Sequence, residues 1–454
     1  MSNERSGFSS RLGFVLATAG SAVGLGNIWR FPYLAAKYGG GIFLLVYIIL
    51  ALTFGYTLIM AETSLGRMTR KSPVGAFESF GNSRFISIGG WINAIIPILI
   101  VPYYSVIGGW VIKYLIEYFA GHSKTLAGDA YFTTFISNGW STEICFIIFT
   151  LFTLGIIYAG VRNGIERVSK FMMPILIVLS LIIAVYSVTR PGAIEGVKYF
   201  LVPNFDHFSW MTVVSAMGQM FYSLSIAMGI LITFGSYMKK DTSIEKSTEN
   251  VEIFDTAIAI MAGLMIIPAV FAFSGGNAET LKSGPALMFI TIPKVFANMG
   301  FGTAIGVVFF LLVLFAAVTS SIALTESAVS TFEDELHWSR KKSTVFMGMV
   351  MLLLGTLSCL GYGPLANFKI LGMQFLDFFD FITNSVMMPI AAIATCLLVS
   401  KVVGVDKIEE EIKKDGQVFR RKKIFCFMIK YLCPLFAAII LISSVANAFG
   451  IITM

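Results

Sequence analysis

The chain predicts an all-α integral membrane fold of eleven transmembrane helices, on three observations. Of its 454 residues, 56% are hydrophobic and only 13% charged, with a mean hydropathy of +0.81; a soluble globular protein is roughly 25% charged. Apolar runs near the ~20 residues that cross a hydrocarbon core recur from end to end. The ~10-residue alternating segments of a membrane β-barrel do not occur.

The runs fall at about 11–37, 41–66, 88–118, 143–160, 165–189, 209–238, 252–276, 301–333, 343–361, 371–400 and 421–449. The polar stretches around 66–87 and 403–423 are too short for a soluble domain, so a single transmembrane domain, 1–454, is expected. The net charge of +7 comes from basic residues gathered in short loops, which points to a lipid bilayer as partner and not to nucleic acid. Of 33 Lys and Arg, 23 lie on the side of the N-terminus, seven on the other, and Arg30, Lys113 and Lys430 within spans. That bias predicts a cytoplasmic N-terminus and an outer C-terminus. No small-residue cleavage site follows the first run, so it reads as a retained span. Five cysteines without a C-x-x-C pair and three scattered histidines suggest no disulfide framework, zinc or haem site.

Two spans are interrupted. The first carries "AGSAVGLGNIWRFPY" (19–33), with glycines, Asn27, Arg30 and Pro32 inside an apolar run. The sixth carries "SLSIAMG" at its midpoint. They stand five apart in the order of spans, so they occupy corresponding places in two five-helix halves, a pattern that points to a transporter's binding site. A broken helix frees N–H groups at one end and C=O groups at the other, suited to an anion and a cation respectively.

Other polar residues sit where the bilayer makes them costly. Arg30 needs a partner, Asp380 or alternatively Asp377 in "FLDFFDFITN". Arg5 and Asp334 form a second candidate pair near the opposite face. Glu62 in "AETSLGR" is expected to hydrogen-bond the broken backbone of span one or six. In "AAVTSSIAL", Thr319 and Ser320 either back-bond to the preceding turn or serve as ligands for a hard cation. Asp255 in span seven neutralises a nearby cation or binds a proton. Tyr104 in span three packs in the core or clamps a carboxylate. Gly164 and Pro174, ten apart at the start of span five, mark a kink or a segment able to unwind.

With those motifs assembled, the chain resembles the neurotransmitter:sodium symporter family, in particular its eleven-span bacterial amino-acid transporters. "RLGFVLATAGSAVGLGNIWRFPY", "AETSLGR", "GQMFYSLSIAMG", "AAVTSSIAL", "FEDELHWSR" and "DFFDF" follow the family's order and spacing over essentially the whole chain. The resemblance implies a LeuT-type fold with two inverted repeats, about 11–189 and 209–400, an extra helix at about 421–449, and sodium-coupled amino-acid uptake by alternating access. By motif, a first sodium site falls to Ala22, Asn27 and Ser223 with the substrate carboxylate. Asp255 is either a further ligand there or a fixed charge in place of the chloride that other members bind, which predicts chloride independence. Tyr47 and Gln219 match other parts of that chloride site.

A second sodium site falls to Gly20, Val23, Ala316, Thr319 and Ser320. The substrate carboxylate is assigned to Leu25, Gly26 and Tyr104, and the ammonium to Ala22, Tyr222, Ser223 and Ser225. The side-chain pocket is assigned to Ile100, Ile107, Tyr222, Met228, Ser320 and Leu324, with Ser21 counted beside it. Arg30–Asp380 resembles the outer gate, and Arg5–Asp334 with Tyr237 the inner latch. Gly164-x9-Pro174 matches the family's helix-five unwinding motif. Gly24 stands where monoamine carriers have aspartate, so the expected substrate keeps its carboxylate. A proton-coupled carrier of this architecture is the nearest alternative. A channel, a sensor or an enzyme would need a pore, a signalling domain or a nucleophile–base pair, and none is visible.

Overall fold

The computed structural model describes residues 7–275 and 284–451. Among them, helices carry the whole architecture, and the β pairing consists of two isolated bridges. Nine helices are long and apolar enough to cross a membrane: Gly41–Thr69, Arg84–Phe119, Gly139–Tyr158, Val161–Val188, Ile244–Ser274, Gly302–Glu335, Arg340–Leu360, Phe375–Val403 and Lys422–Ala448. A tenth forms from Arg11–Ala22 and Gly26–Lys37, which meet at an angle of 51°. The remaining expected span, the sixth, is divided into Trp210–Ser223 and Ile230–Ser236. By length and composition the described residues therefore give ten spans, not eleven, because the break leaves the sixth in two short pieces.

The two breaks differ locally. In span one the helix ends at Val23 with φ −77° and ψ 85°, and resumes at Gly26. In span six the chain between the pieces passes through left-handed backbone at Ser225 (φ 54°), Ala227 (φ 58°) and Gly229 (φ 70°). A non-glycine residue in that region is strained unless its surroundings hold it. The structure supplies the restraint: Ser225 Oγ donates to the Ser21 carbonyl at 2.8 Å, and the Ala227 N–H donates to Glu62 Oε1 at 2.8 Å.

Spans two and six approach to backbone contact. A Cβ added to Gly66 would lie 1.9 Å from the Ile232 carbonyl oxygen, and one on Gly235 2.5 Å from that of Thr63. Small residues allow this approach between membrane helices. It holds the second half of the broken span six against an unbroken neighbour.

The basic stretch 403–423 does more than bias topology. Its helix Val405–Ile412 carries Glu411, which accepts from Nε of the buried Arg67 at 2.6 Å. The same guanidinium donates to the Glu411 and Thr242 carbonyls. Glu245 in turn accepts the Arg420 and Arg421 N–H groups, and the Tyr56 hydroxyl at 2.8 Å. The connection between spans ten and eleven is thus fastened to spans two and seven. Arg67→Met leaves the buried Glu411 carboxylate to Lys414 alone and the Thr242 carbonyl without its donor, and is expected to cost about 2 kcal/mol, read as a lower Tm of the purified protein in detergent. An unchanged Tm contradicts this assignment.

Candidate functional site

The breaks face each other across a small cavity of about 30 Å³. Eleven predicted substrate residues line it: Ser21, Ala22, Leu25, Gly26, Ile100, Tyr104, Tyr222, Ser225, Met228, Ser320 and Leu324. Gly24 and Ile230, outside the predicted set, line it too. The Leu25 N–H donates to the Tyr104 hydroxyl at 3.4 Å, so the freed backbone of span one and the tyrosine of span three converge. A Cβ on Gly24 would come within 2.6 Å of Ser320 Oγ and 3.2 Å of the Tyr104 hydroxyl. Glycine at that position keeps the cavity open.

Two predicted residues lie elsewhere. Ile107 lines a larger vestibule next to the cavity, and Ser223 turns into a cluster around Asp255. Asp255 is fully buried; its Oδ1 accepts from Ser223 Oγ at 2.6 Å and Asn27 Nδ2 at 2.8 Å. Its Oδ2 accepts from the Tyr47 hydroxyl at 2.8 Å, which also pairs with Ser223 Oγ at 2.8 Å. Gln219 Nε2 donates to the Gly26 carbonyl at 3.0 Å. Asn27 Oδ1 and Gln219 Oε1 are buried, with no hydrogen-bond partner among the described residues. Buried oxygens of this kind call for an explanation, and beside a carboxylate and a hydroxyl they offer the all-oxygen donor set that hard cations take. The donor chemistry fits a small monovalent cation.

On the other flank, Thr319 Oγ1 donates to the Phe315 and Ala316 carbonyls at 3.0 and 3.1 Å. Ser320 Oγ reaches the Ser21 and Gly20 carbonyls at 3.2 and 3.4 Å. A Cβ on Gly20 would lie 3.1 Å from Thr319 Cβ, so spans one and eight touch where the first half-helix approaches its end at Val23. Both hydroxyls make the back-bonds or cross-span bonds expected of serine and threonine in a membrane helix, and both lie beside freed carbonyls.

The vestibule, about 390 Å³, is lined by Arg30, Tyr103, Ile107, Tyr222, Asp377, Asp380 and Asn384 among others. Tyr222 lines both spaces and stands between them. Arg30 and Asp380 face the same space, yet no ion pair joins them. The Arg30 guanidinium instead sits 5.2 Å from the Tyr222 ring centroid, and Asp380 accepts from the Tyr103 hydroxyl at 3.1 Å. Asp377, the alternative partner, accepts from Tyr362 at 3.1 Å.

Arg5 lies outside the described residues, so its pair with Asp334 is not placed. Asp334 accepts the Ser72 N–H at 2.6 Å. Tyr237 donates to Glu326 at 2.7 Å, and Glu326 is held by Arg340 at 2.5 and 3.0 Å. Sequence reading missed Glu326 and Arg340; the carboxylate within "ALTESAVS" was the available signal. Gly164 lies in a π-helical turn, Val161–Glu166, and Pro174 inside the helix that follows, so span five is wound here. Glu166 accepts the Ser9 N–H at 2.7 Å and the Ser9 and Ser10 hydroxyls at 2.5 and 3.2 Å, tying that turn to the start of span one. Glu62 falls to span six of its two expected partners.

Two helices broken around a small buried cavity, flanked by oxygen clusters and joined to a vestibule, define an ion-coupled secondary transporter rather than an enzyme. The family model for the sodium:neurotransmitter symporter family matches residues 5–146 and 136–451, and the chain belongs to that family. It is 33% identical over 449 residues to an uncharacterised sodium-dependent transporter, YhdH, of Bacillus subtilis, covering 98% of each chain. An uncharacterised sodium-dependent transporter of Haemophilus influenzae is 31% identical, with 97% of this chain and 98% of that one covered. The crystal structure of MhsT in complex with L-phenylalanine superposes with a TM-score of 0.87 at 35% identity, covering 97% of this chain and 100% of that one. The LeuT-type fold expected from sequence is the fold the chain has.

Glu62→Ala leaves the N–H of the left-handed Ala227 unsatisfied. It is expected to lower stability by roughly 1–3 kcal/mol, measured as a fall in Tm, with Glu62→Gln recovering much of the loss. Equal Tm values for Glu62→Ala and the parent rule out this role.

Proposed function

We propose that the protein imports neutral hydrophobic or aromatic L-amino acids together with sodium, by alternating access and without chloride. The observation that carries the reading is the Asp255 cluster. A buried carboxylate, a hydroxyl and an unpartnered amide oxygen of Asn27 lie beside the freed backbone of span one. In this reading, Ala22, Asn27, Ser223 and Asp255 hold one sodium with the substrate's own carboxylate, which links ion and substrate directly. Gly20, Val23, Ala316, Thr319 and Ser320 hold a second.

The substrate carboxylate meets the Leu25 and Gly26 N–H groups and Tyr104. Its side chain lies against Ile100, Met228, Ile230 and Leu324, an apolar wall that disfavours charged side chains. The adaptable Met228 lets the wall accept more than one shape. MhsT, bound to L-phenylalanine in its crystal structure, supports an amino acid of this class. Asp255 supplies a fixed negative charge next to Tyr47, Gln219 and Ser223, so no chloride is required; on the return step the same carboxylate takes a proton. Arg30 and Asp380 close the vestibule once substrate is bound, and Tyr237 with Asp334 and Arg5 closes the opposite end. Unwinding around Gly164 and Pro174 opens the path from the second sodium site. The two five-helix halves form one domain in a bacterial cytoplasmic membrane, N-terminus inside and C-terminus outside, as the Lys and Arg bias supports.

Proteoliposomes given an inward sodium gradient are expected to accumulate labelled tyrosine, tryptophan or leucine, and to do so equally with gluconate in place of chloride. A potassium or proton gradient alone gives no accumulation. Uptake that ignores sodium overturns the coupling, and a strict chloride requirement overturns the role of Asp255. Replacing both Thr319 and Ser320 by alanine is expected to raise the sodium concentration for half-maximal uptake by roughly tenfold or more, the scale of losses at metal sites. An unchanged sodium dependence removes those residues from the ion site.

A further inference from the structure

We propose that Asn384 is a positioning residue of the vestibule gate: its amide N–H holds Asp380 while Arg30 is away, and its carbonyl oxygen is the second acceptor that receives Arg30 on closure. The inference rests on the reading of Arg30 and Asp380 as that gate.

Asn384 lies four residues beyond Asp380 on span ten, one turn along the same side of the helix. Its Nδ2 donates to Asp380 Oδ1 at 2.5 Å and to the Tyr103 hydroxyl at 3.2 Å. The Tyr103 hydroxyl also donates to Asp380 Oδ1, at 3.1 Å. Among the described residues, the hydrogen bonds to this carboxylate therefore all fall on one oxygen. Asn384 Oδ1 is buried and accepts nothing among the described residues. Asp380 and Asn384 line the same vestibule as Arg30. That wall thus offers two acceptors, one carboxylate oxygen and one amide oxygen, each lacking a donor.

Arg30 carries the complementary group. Its planar guanidinium presents parallel N–H donors suited to two acceptors at once, and here it rests over the Tyr222 ring. Closure then transfers the guanidinium from the face of Tyr222 to the pair of oxygens on span ten. Asp380 is already oriented by Tyr103 and Asn384, so little ordering is left for the closing step. A purely local role for Asn384, as a hydrogen bond within span ten, predicts an effect that does not depend on Arg30.

The test reads gate closure directly. Ser444 lines the vestibule from span eleven and is partly exposed, so Ser444→Cys is a mild reporter. Cys426, partly exposed where the other four native cysteines are buried, is first replaced by serine. The rate at which a charged thiol reagent modifies the reporter is measured in sodium, with and without L-phenylalanine. It is compared in the parent, Asn384→Ala, Arg30→Ala and the double variant. Loss of a hydrogen bond to a charged group corresponds to about tenfold or more, so Asn384→Ala is expected to speed labelling by about that factor. The double variant is expected to match Arg30→Ala, the signature of a shared interaction.

A parent-like rate in Asn384→Ala, or effects that multiply in the double variant, overturns the inference while leaving the gate in place. Equal rates in the parent and Arg30→Ala overturn the gate reading and the inference with it. If Asn384→Ala does not fold, Asn384→Ser is read the same way.

Discussion

A backbone that leaves its helix deep inside a membrane protein bares N–H and C=O groups that lipid cannot satisfy. At residues 23–26 the first span does this, and much of the molecule is arranged around the consequence. Tyr104 meets the Leu25 N–H, Gln219 meets the Gly26 carbonyl, and Ser320 and Ser225 both meet the Ser21 carbonyl of the first half-helix. These partners come from spans three, six and eight, so the break is held by two unbroken helices and by the facing break in span six. What the protein leaves incompletely satisfied, notably the Asn27 oxygen beside Asp255, is where ions and substrate enter the proposal.

The same constraint explains why ion and substrate are coupled in this reading. A substrate carboxylate at the freed N–H groups and a sodium ion at the adjoining oxygens each lower the cost of burying the other. Coupling of this kind is reciprocal by thermodynamic necessity. Asp255 lies at the centre of the cluster, and its three hydrogen-bond donors, Ser223, Asn27 and Tyr47, arrive from spans six, one and two. A change at any one of them is therefore felt at the whole cluster.

Sequence alone exposed the parts of the site that are costly in lipid. Glycines, Asn27 and Arg30 within an apolar run, "SLSIAMG" in a second one, and hydroxyls in span eight stood out because the bilayer penalises them. Eleven of the thirteen residues expected to meet substrate line one cavity. Ile107 shares the vestibule-facing side of span three with Tyr103, whereas Ile100 and Tyr104 face the cavity, a division that sequence spacing did not resolve. Ser223 was assigned two tasks, and the structure shows its hydroxyl bonded to the carboxylate of span seven. Contacts between distant segments were not legible: Arg67 with Glu411 is set by how a linker docks, as is Glu166 with Ser9 and Ser10. The left-handed backbone at Ser225 and Ala227 was also invisible, since neither residue type advertises it. The break in span six was legible, but not the strain that shapes it.

The central claim is that the broken first span binds a substrate carboxylate in electrical contact with sodium. Equilibrium binding of L-phenylalanine and of phenethylamine, its counterpart without the carboxylate, across a sodium titration tests this most directly. The account predicts that the apparent Kd for L-phenylalanine falls as sodium rises and that phenethylamine does not compete at any sodium concentration. Phenethylamine binding as tightly as the amino acid, or an L-phenylalanine Kd indifferent to sodium, would contradict it.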